Sequence, residues 1–126
     1  MKTVLIIDDD EGLCFLLNKI MEGKYRAHFV NNGMLAYRWI SEGNIPDVII
    51  SDFNMPHLSG DEFLRELRTS AIFRNIPVII LSGDINPENR RKCLELGLYK
   101  FIEKPFKPAE LLATIAEAVL RPPVTI

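Results

Sequence analysis

The chain has 126 residues, 48% hydrophobic and 25% charged, which suits one globular domain with a real core and leaves no room for a second. A formal net charge of −2 gives no general attraction to nucleic acid or to an anionic membrane surface. Its two cysteines, Cys14 and Cys93, stand far apart in helix-like segments, which excludes a close-spaced zinc motif or a disulfide framework and points to reduced thiols.

The opening MKTVLIIDDD holds an apolar run of four residues cut off by three acids, too short for a signal-peptide core or a membrane span, so a cytoplasmic location is expected. Residues 4–7 read as a strand buried on both faces. Leu13, Leu16, Leu17, Ile20 and Met21 then recur at helical spacing before the stop signal Gly23, predicting a helix over 11–22 with Asp10 free to cap it. A short strand over 27–30, a turn at Asn31-Asn32-Gly33 and a helix over 34–41 follow, with a break at Gly43-Asn44.

Residues 48–51 form the third predicted strand. The stretch from Asn54 to Gly60 reads as loop, and Phe63, Leu64, Leu67 and Ile72 mark a third helix. A fourth strand is predicted over 77–81. A helix over 87–96 has Pro87 in its first turn and ends at Gly97. The fifth strand covers 99–103. Pro108 opens a last helix whose Leu111, Leu112, Ile115, Ala116 and Val119 are expected to face the core, and Pro122-Pro123 prevents its continuation. Five strand–helix units predict a doubly wound α/β domain over 1–121, with a five-stranded parallel sheet and five helices, and a tail or the start of a linker over 122–126.

If the strands are parallel, their carboxyl ends meet at one edge, where ligands of such folds bind. Asp8 and Asp9 follow the first run, Asp52 the third, Ser82 the fourth and Lys104 the fifth. Two carboxylates about 4 Å apart repel by about 4 kcal/mol at an effective dielectric near 20, so such a cluster is costly without a cation. Hard oxygen donors with no His or Cys favour Mg²⁺, which binds one or two carboxylates and welcomes phosphate oxygens. Asp52, alone at its strand end, is the candidate nucleophile toward phosphorus, forming an aspartyl phosphate. Lys104 supplies a point charge and Ser82 a hydroxyl donor for the phosphoryl oxygens. Lys104-Pro105 is a bond at which the cis form costs little, and Gly83 leaves room beside Ser82.

The order Asp8-Asp9, then Asp52-Phe53-Asn54-Met55-Pro56 with Gly60, then Ser82, then Lys104-Pro105-Phe106 resembles the receiver domain of two-component response regulators over essentially the whole chain. The resemblance implies a flavodoxin-like strand order 2-1-3-4-5. It implies that Asp52 accepts a phosphoryl group from a sensor histidine kinase or a histidine phosphotransfer protein, with Mg²⁺ held by Asp9, Asp52 and the main-chain carbonyl of Asn54, and Asp8 acting through a metal-bound water. Ser82 and Lys104 would contact the phosphoryl group and pass the signal to the face made by the fourth helix, fifth strand and fifth helix, with Phe101 at the family's aromatic switch position. The output partner is unknown, and a phosphorylation-dependent dimer is compatible with the resemblance.

There are departures. Ser82 stands where Thr is commoner, which keeps the hydrogen bond and loses a methyl that limits rotamers. Phe101 replaces the frequent Tyr, so no switch can end in a hydroxyl hydrogen bond. Gly97-Leu98-Tyr99-Lys100 lacks the acidic pair of receivers in the winged-helix transcription factor subgroup, which speaks against their style of dimer. Asn54 and Asp84 occupy places where the family tunes access of hydrolytic water, and imply a short-lived phosphate.

Two other classes compete: an unphosphorylated adaptor working by protein contact, against which the intact Asp9, Asp52, Ser82 and Lys104 speak, and an Mg²⁺-dependent phosphohydrolase, which should have a second acid or a substrate-binding insertion, while no loop here is long enough to form a cap. His28 and His57 lack a matching ligand and read as surface or satisfied histidines. Tyr37 and Trp39 read as packing residues. Arg90, Arg91 and Lys92 form a basic cluster whose default is a solvated helix face and whose sharper reading is partner docking.

Overall fold

The computed structural model describes residues 1–54 and 59–120. Strands and helices alternate as β1 (Thr3–Ile7), α1 (Glu11–Met21), β2 (Arg26–Val30), α2 (Gly33–Ser41), β3 (Val48–Asp52), α3 (Gly60–Thr69), β4 (Val78–Ser82), α4 (Pro87–Glu95), β5 (Lys100–Glu103) and α5 (Pro108–Val119). The five strands pair in parallel in the order β2-β1-β3-β4-β5, as expected. Met55, Pro56 and His57, and the tail over 122–126 with Pro122-Pro123, lie outside the described residues.

The continuous apolar runs are explained by burial on both sides. Leu5, Ile7, Ile49, Val78 and Ile80 meet Ala36 and Ile40 of α2, Phe63, Leu64 and Leu67 of α3, and Cys93 of α4. The alternate residues Val4, Ile6, Val48, Ile50, Ile79 and Leu81 meet Leu17 and Met21 of α1 and Leu111, Ile115 and Ala118 of α5. Each strand thus feeds two cores, because its side chains alternate between faces.

Helices α1 to α4 start on side-chain caps, while α5 opens on Pro108 without one. Asp10 accepts from the Leu13 amide, Asn32 from Leu35 and Asn86 from Asn89. Ser59 and Glu62 form a capping box on α3.

Local expectations shift at several places, among them Gly33, which opens α2 rather than ending the turn before it. Ile72 is not on α3: the helix ends at Thr69 with Ser70 as its cap, and Ile72 lies beyond it, 68% exposed. Gly60 opens α3 instead of closing the loop before it. On α5 the buried stripe is Leu111, Thr114, Ile115 and Ala118, while Leu112 and Val119 are half-buried and Ala116 is exposed. Thr114 takes an inward position because its hydroxyl donates to the Glu110 carbonyl at 2.9 Å, so no polar group is left bare.

Candidate functional site

Register brings the acids together. β1 lies between β2 and β3, with Ile7 opposite Ser51, so Asp8 at the end of β1 and Asp52 at the end of β3 reach the same edge of the sheet. Asp8, Asp9 and Asp52 each present an oxygen within 4.8 Å of the others. Asp8 is 3% exposed and Asp52 is half-buried, while Asp9 faces solvent. One oxygen of Asp8 accepts the Asp10 amide at 2.8 Å, which fixes the carboxylate in its turn.

Lys104 follows β5, and its ammonium lies 3.7 Å from Asp52 Oδ2 and 3.8 Å from Asp8 Oδ2. The Lys104–Pro105 peptide bond is cis. Ser82 ends β4, next to β3, where Asp52 is opposite Leu81. Its hydroxyl is buried and has no hydrogen-bond partner among the described residues. An orphaned hydroxyl costs about 1–3 kcal/mol, so this one stands ready for an acceptor that the described residues do not supply. Asn54 follows in the loop after β3 and Asp84 in the loop after β4, both exposed. Phe101 lies on β5 opposite Ile80, half-buried against the core of α2, α3 and α4.

Burial pushes the Asp8 carboxyl above its ordinary range, against the Asp10 amide and Lys104, which favour the charged form; the Asp52 and Asp9 charges add to the rise. Burial of this carboxylate, more than repulsion by its neighbours, is therefore the main cost of charge here. The donor set fits a hard divalent cation: three carboxylates converge within coordinating reach. Cys14 is nearby, donating to the Asp8 carbonyl at 3.6 Å. Burial and then the surrounding acids push its thiol up, which keeps it protonated and unsuited as a soft ligand or nucleophile. Beside the acids lies a cleft of about 440 Å³ between α1 and β2, lined by Glu11, Cys14, Phe15 and Asn31.

Two supporting residues escaped the sequence reading. Gly60 packs so closely on the end of β3 that a Cβ would lie 3.0 Å from Phe53 Cα and 3.1 Å from the Asp52 carbonyl oxygen. Its amide donates to the Phe53 carbonyl at 2.8 Å. The glycine is therefore a close-approach residue that holds α3 against the backbone of Asp52. Arg68, at the end of α3, donates to the carbonyls of Arg74, Ile76, Leu96 and Gly97, tying α3 to the start of β4 and the end of α4. The glycine was visible only as a motif letter, and the arginine had no local signal because its partners lie up to 29 residues away.

The chain matches the model of the response regulator receiver domain over residues 4–116. It is 31% identical over 109 residues to the two-component response regulator ORR3 of Oryza sativa subsp. indica, covering 86% of this chain and 83% of that protein. Other curated relatives are longer, and the chain spans 65% of one and 52% of another. Among solved structures, the signal receiver domain of a signal transduction histidine kinase from Syntrophus aciditrophicus superposes with a TM-score of 0.87 at 31% identity, covering 100% of this chain and 98% of that one. The receiver domain of sensor histidine kinase PA1611 from Pseudomonas aeruginosa PAO1, determined with a magnesium ion coordinated in the active site cleft, gives 0.85 at 27% identity, covering 95% and 98%. Fold, edge-clustered acids and all three comparisons agree: this chain belongs to the response regulator receiver domain family.

Proposed function

We propose that the chain is a phosphorylation-driven switch in which Asp52 accepts a phosphoryl group from a sensor histidine kinase or a histidine phosphotransfer protein. The P–N bond of the donor's phosphoimidazole breaks as a P–O bond to Asp52 forms, and the donor imidazole leaves with the electron pair. Asp9, Asp52 and the Asn54 main-chain carbonyl would hold Mg²⁺, with Asp8 reaching it through water; the ion supplies charge neutralisation of the phosphoryl oxygens. Catalysis by the chain is positioning and electrostatics, so the protein is a signalling domain rather than a metabolic enzyme.

Lys104 has the part of a counter-charge for the oxygens that arrive at Asp52, and the Ser82 hydroxyl would donate to one of them. The observation that carries the reading is this juxtaposition: an ammonium 3.7 Å from Asp52, beside a buried hydroxyl that lacks a partner among the described residues. Phe101 and the face of α4, β5 and α5 would pass the change to an output partner. Exposed Asn54 and Asp84 leave water access to the site, in keeping with a short phosphate lifetime.

Intact mass after incubation with a small-molecule phosphodonor tests the proposal. One phosphoryl adduct that requires both Mg²⁺ and Asp52, and is lost in Asp52→Asn, is the expected result. An adduct retained in Asp52→Asn would move the nucleophile elsewhere. No adduct, with metal binding confirmed, would favour an adaptor that works only by protein contact.

A further inference from the structure

On α2, α3 and α5 the inward stripe is made of apolar or internally satisfied residues, two or more per helix. α4 is different. Cys93 is its one fully buried residue. The positions three and four residues before Cys93, which helical periodicity turns toward the same side, are Arg90 and Asn89. Arg90 fills the missing contact from outside: its guanidinium lies 5.2 Å from the centroid of the Phe101 ring and 3.9 Å from Glu103. Phe101 and Glu103 are two residues apart on β5 and so share one face of the strand. A single side chain thus spans a ring and a carboxylate.

Both members of the ion pair are wet, Arg90 at 49% and Glu103 at 80% side-chain exposure, so this bond between helix and sheet is accessible to water and salt. An apolar residue at the same place would bind permanently by packing. A cation over a ring can leave and return at small cost.

We propose that Arg90 is the releasable latch between α4 and β5, a positioning residue that holds Phe101 and must let go when that ring moves. The inference rests on the reading of Phe101 as the mobile aromatic of this face. The latch couples β5 to a helix whose one fully buried residue is Cys93. Releasing it frees the middle of α4, while the Arg68 contacts at Leu96 and Gly97 keep its end in place.

The test uses the full chain labelled with 4-fluorophenylalanine, the Phe101 signal being assigned as the one lost in Phe101→Leu. Arg90→Ala is expected to shift that signal and to speed amide exchange in α4 by about two- to five-fold, the worth of an exposed cation–π contact. This loosening runs against the higher helix propensity of alanine. Arg90→Lys should recover part of both effects, and in a Phe101→Leu background Arg90→Ala should leave α4 exchange nearly unchanged. An unmoved Phe101 signal overturns the latch, as does equal acceleration with and without the ring. Adding phosphodonor separates the two readings. A signal that answers to Arg90→Ala but not to phosphorylation keeps the latch and sinks the switch; one that answers to phosphorylation only does the reverse.

Discussion

Two helices on the same face of the sheet are built in opposite ways. α3 buries Phe63, Leu64 and Leu67, starts on a capping box and is locked to the backbone of Asp52 by the close approach of Gly60. α4 buries Cys93, carries Arg90, Arg91 and Lys92, and is joined to its surroundings by charged side chains at its middle and its end. The difference separates rigidity from responsiveness. The helix next to the candidate nucleophile is held by packing that cannot be undone locally, while the one beside the candidate switch residue is held by contacts that water can replace.

Truncation tests the contrast most strongly. Phe63→Ala should cost about 3–5 kcal/mol, and Cys93→Ala on the order of 1 kcal/mol, measured by urea unfolding. Comparable losses would show α4 to be anchored as firmly as α3. Gly60→Ala comes next. Its Cβ meets backbone rather than the flexible end of a side chain, so α3 or the end of β3 must shift, at a cost of about 1–3 kcal/mol. Because the displaced carbonyl belongs to Asp52, phosphodonor labelling should slow as well; a variant that labels at the wild-type rate would detach Gly60 from the site.

The smallest expected effect is a gain. Asp8 titrates above the ordinary carboxylate range, so the folded chain holds that proton more tightly than the unfolded chain. The resulting stability is fully present in acid and is lost as pH rises through the raised value. At neutral pH the ionised, buried Asp8 is a burden, and Asp8→Asn should stabilise the protein. Melting temperatures at pH 7 and in acid check this: the advantage should shrink as pH falls. A variant less stable than wild type at pH 7 would mean that the Lys104 and Asp10 contacts outweigh burial.

The cysteines and rings fit the same division of labour. The Cys93 thiol, inside the core of α2, α3 and α4, is pushed up to about 11 by burial, which keeps it an inert packing group. His28 and Trp39 stack with centroids 4.4 Å apart, in line with packing roles. Arg90 departs from the default of a solvated helix face, since its cation has a ring beneath it, while Arg91 pairs with Glu95 along the helix.

The sequence alone was enough for the alternation of elements, the parallel sheet and the gathering of Asp8, Asp9, Asp52, Ser82 and Lys104. Strands buried on both faces must be continuous apolar runs, and the runs ending at Ile7, Ile50 and Leu81 are followed within two residues by Asp8, Asp52 and Ser82. Element ends were also legible where Pro87, Gly97 and Asp10 act on the backbone beside them. Helix faces were less so: the inward stripe of α5 depends on how the helix is rotated against the sheet, and Thr114 or Ala116 can serve on either side until that angle exists. Gly60 against Asp52, Arg68 across four carbonyls and Arg90 over Phe101 were decided only by the tertiary structure. Each is a contact between residues distant in sequence, and no local pattern encodes the distance that closes when the elements pack.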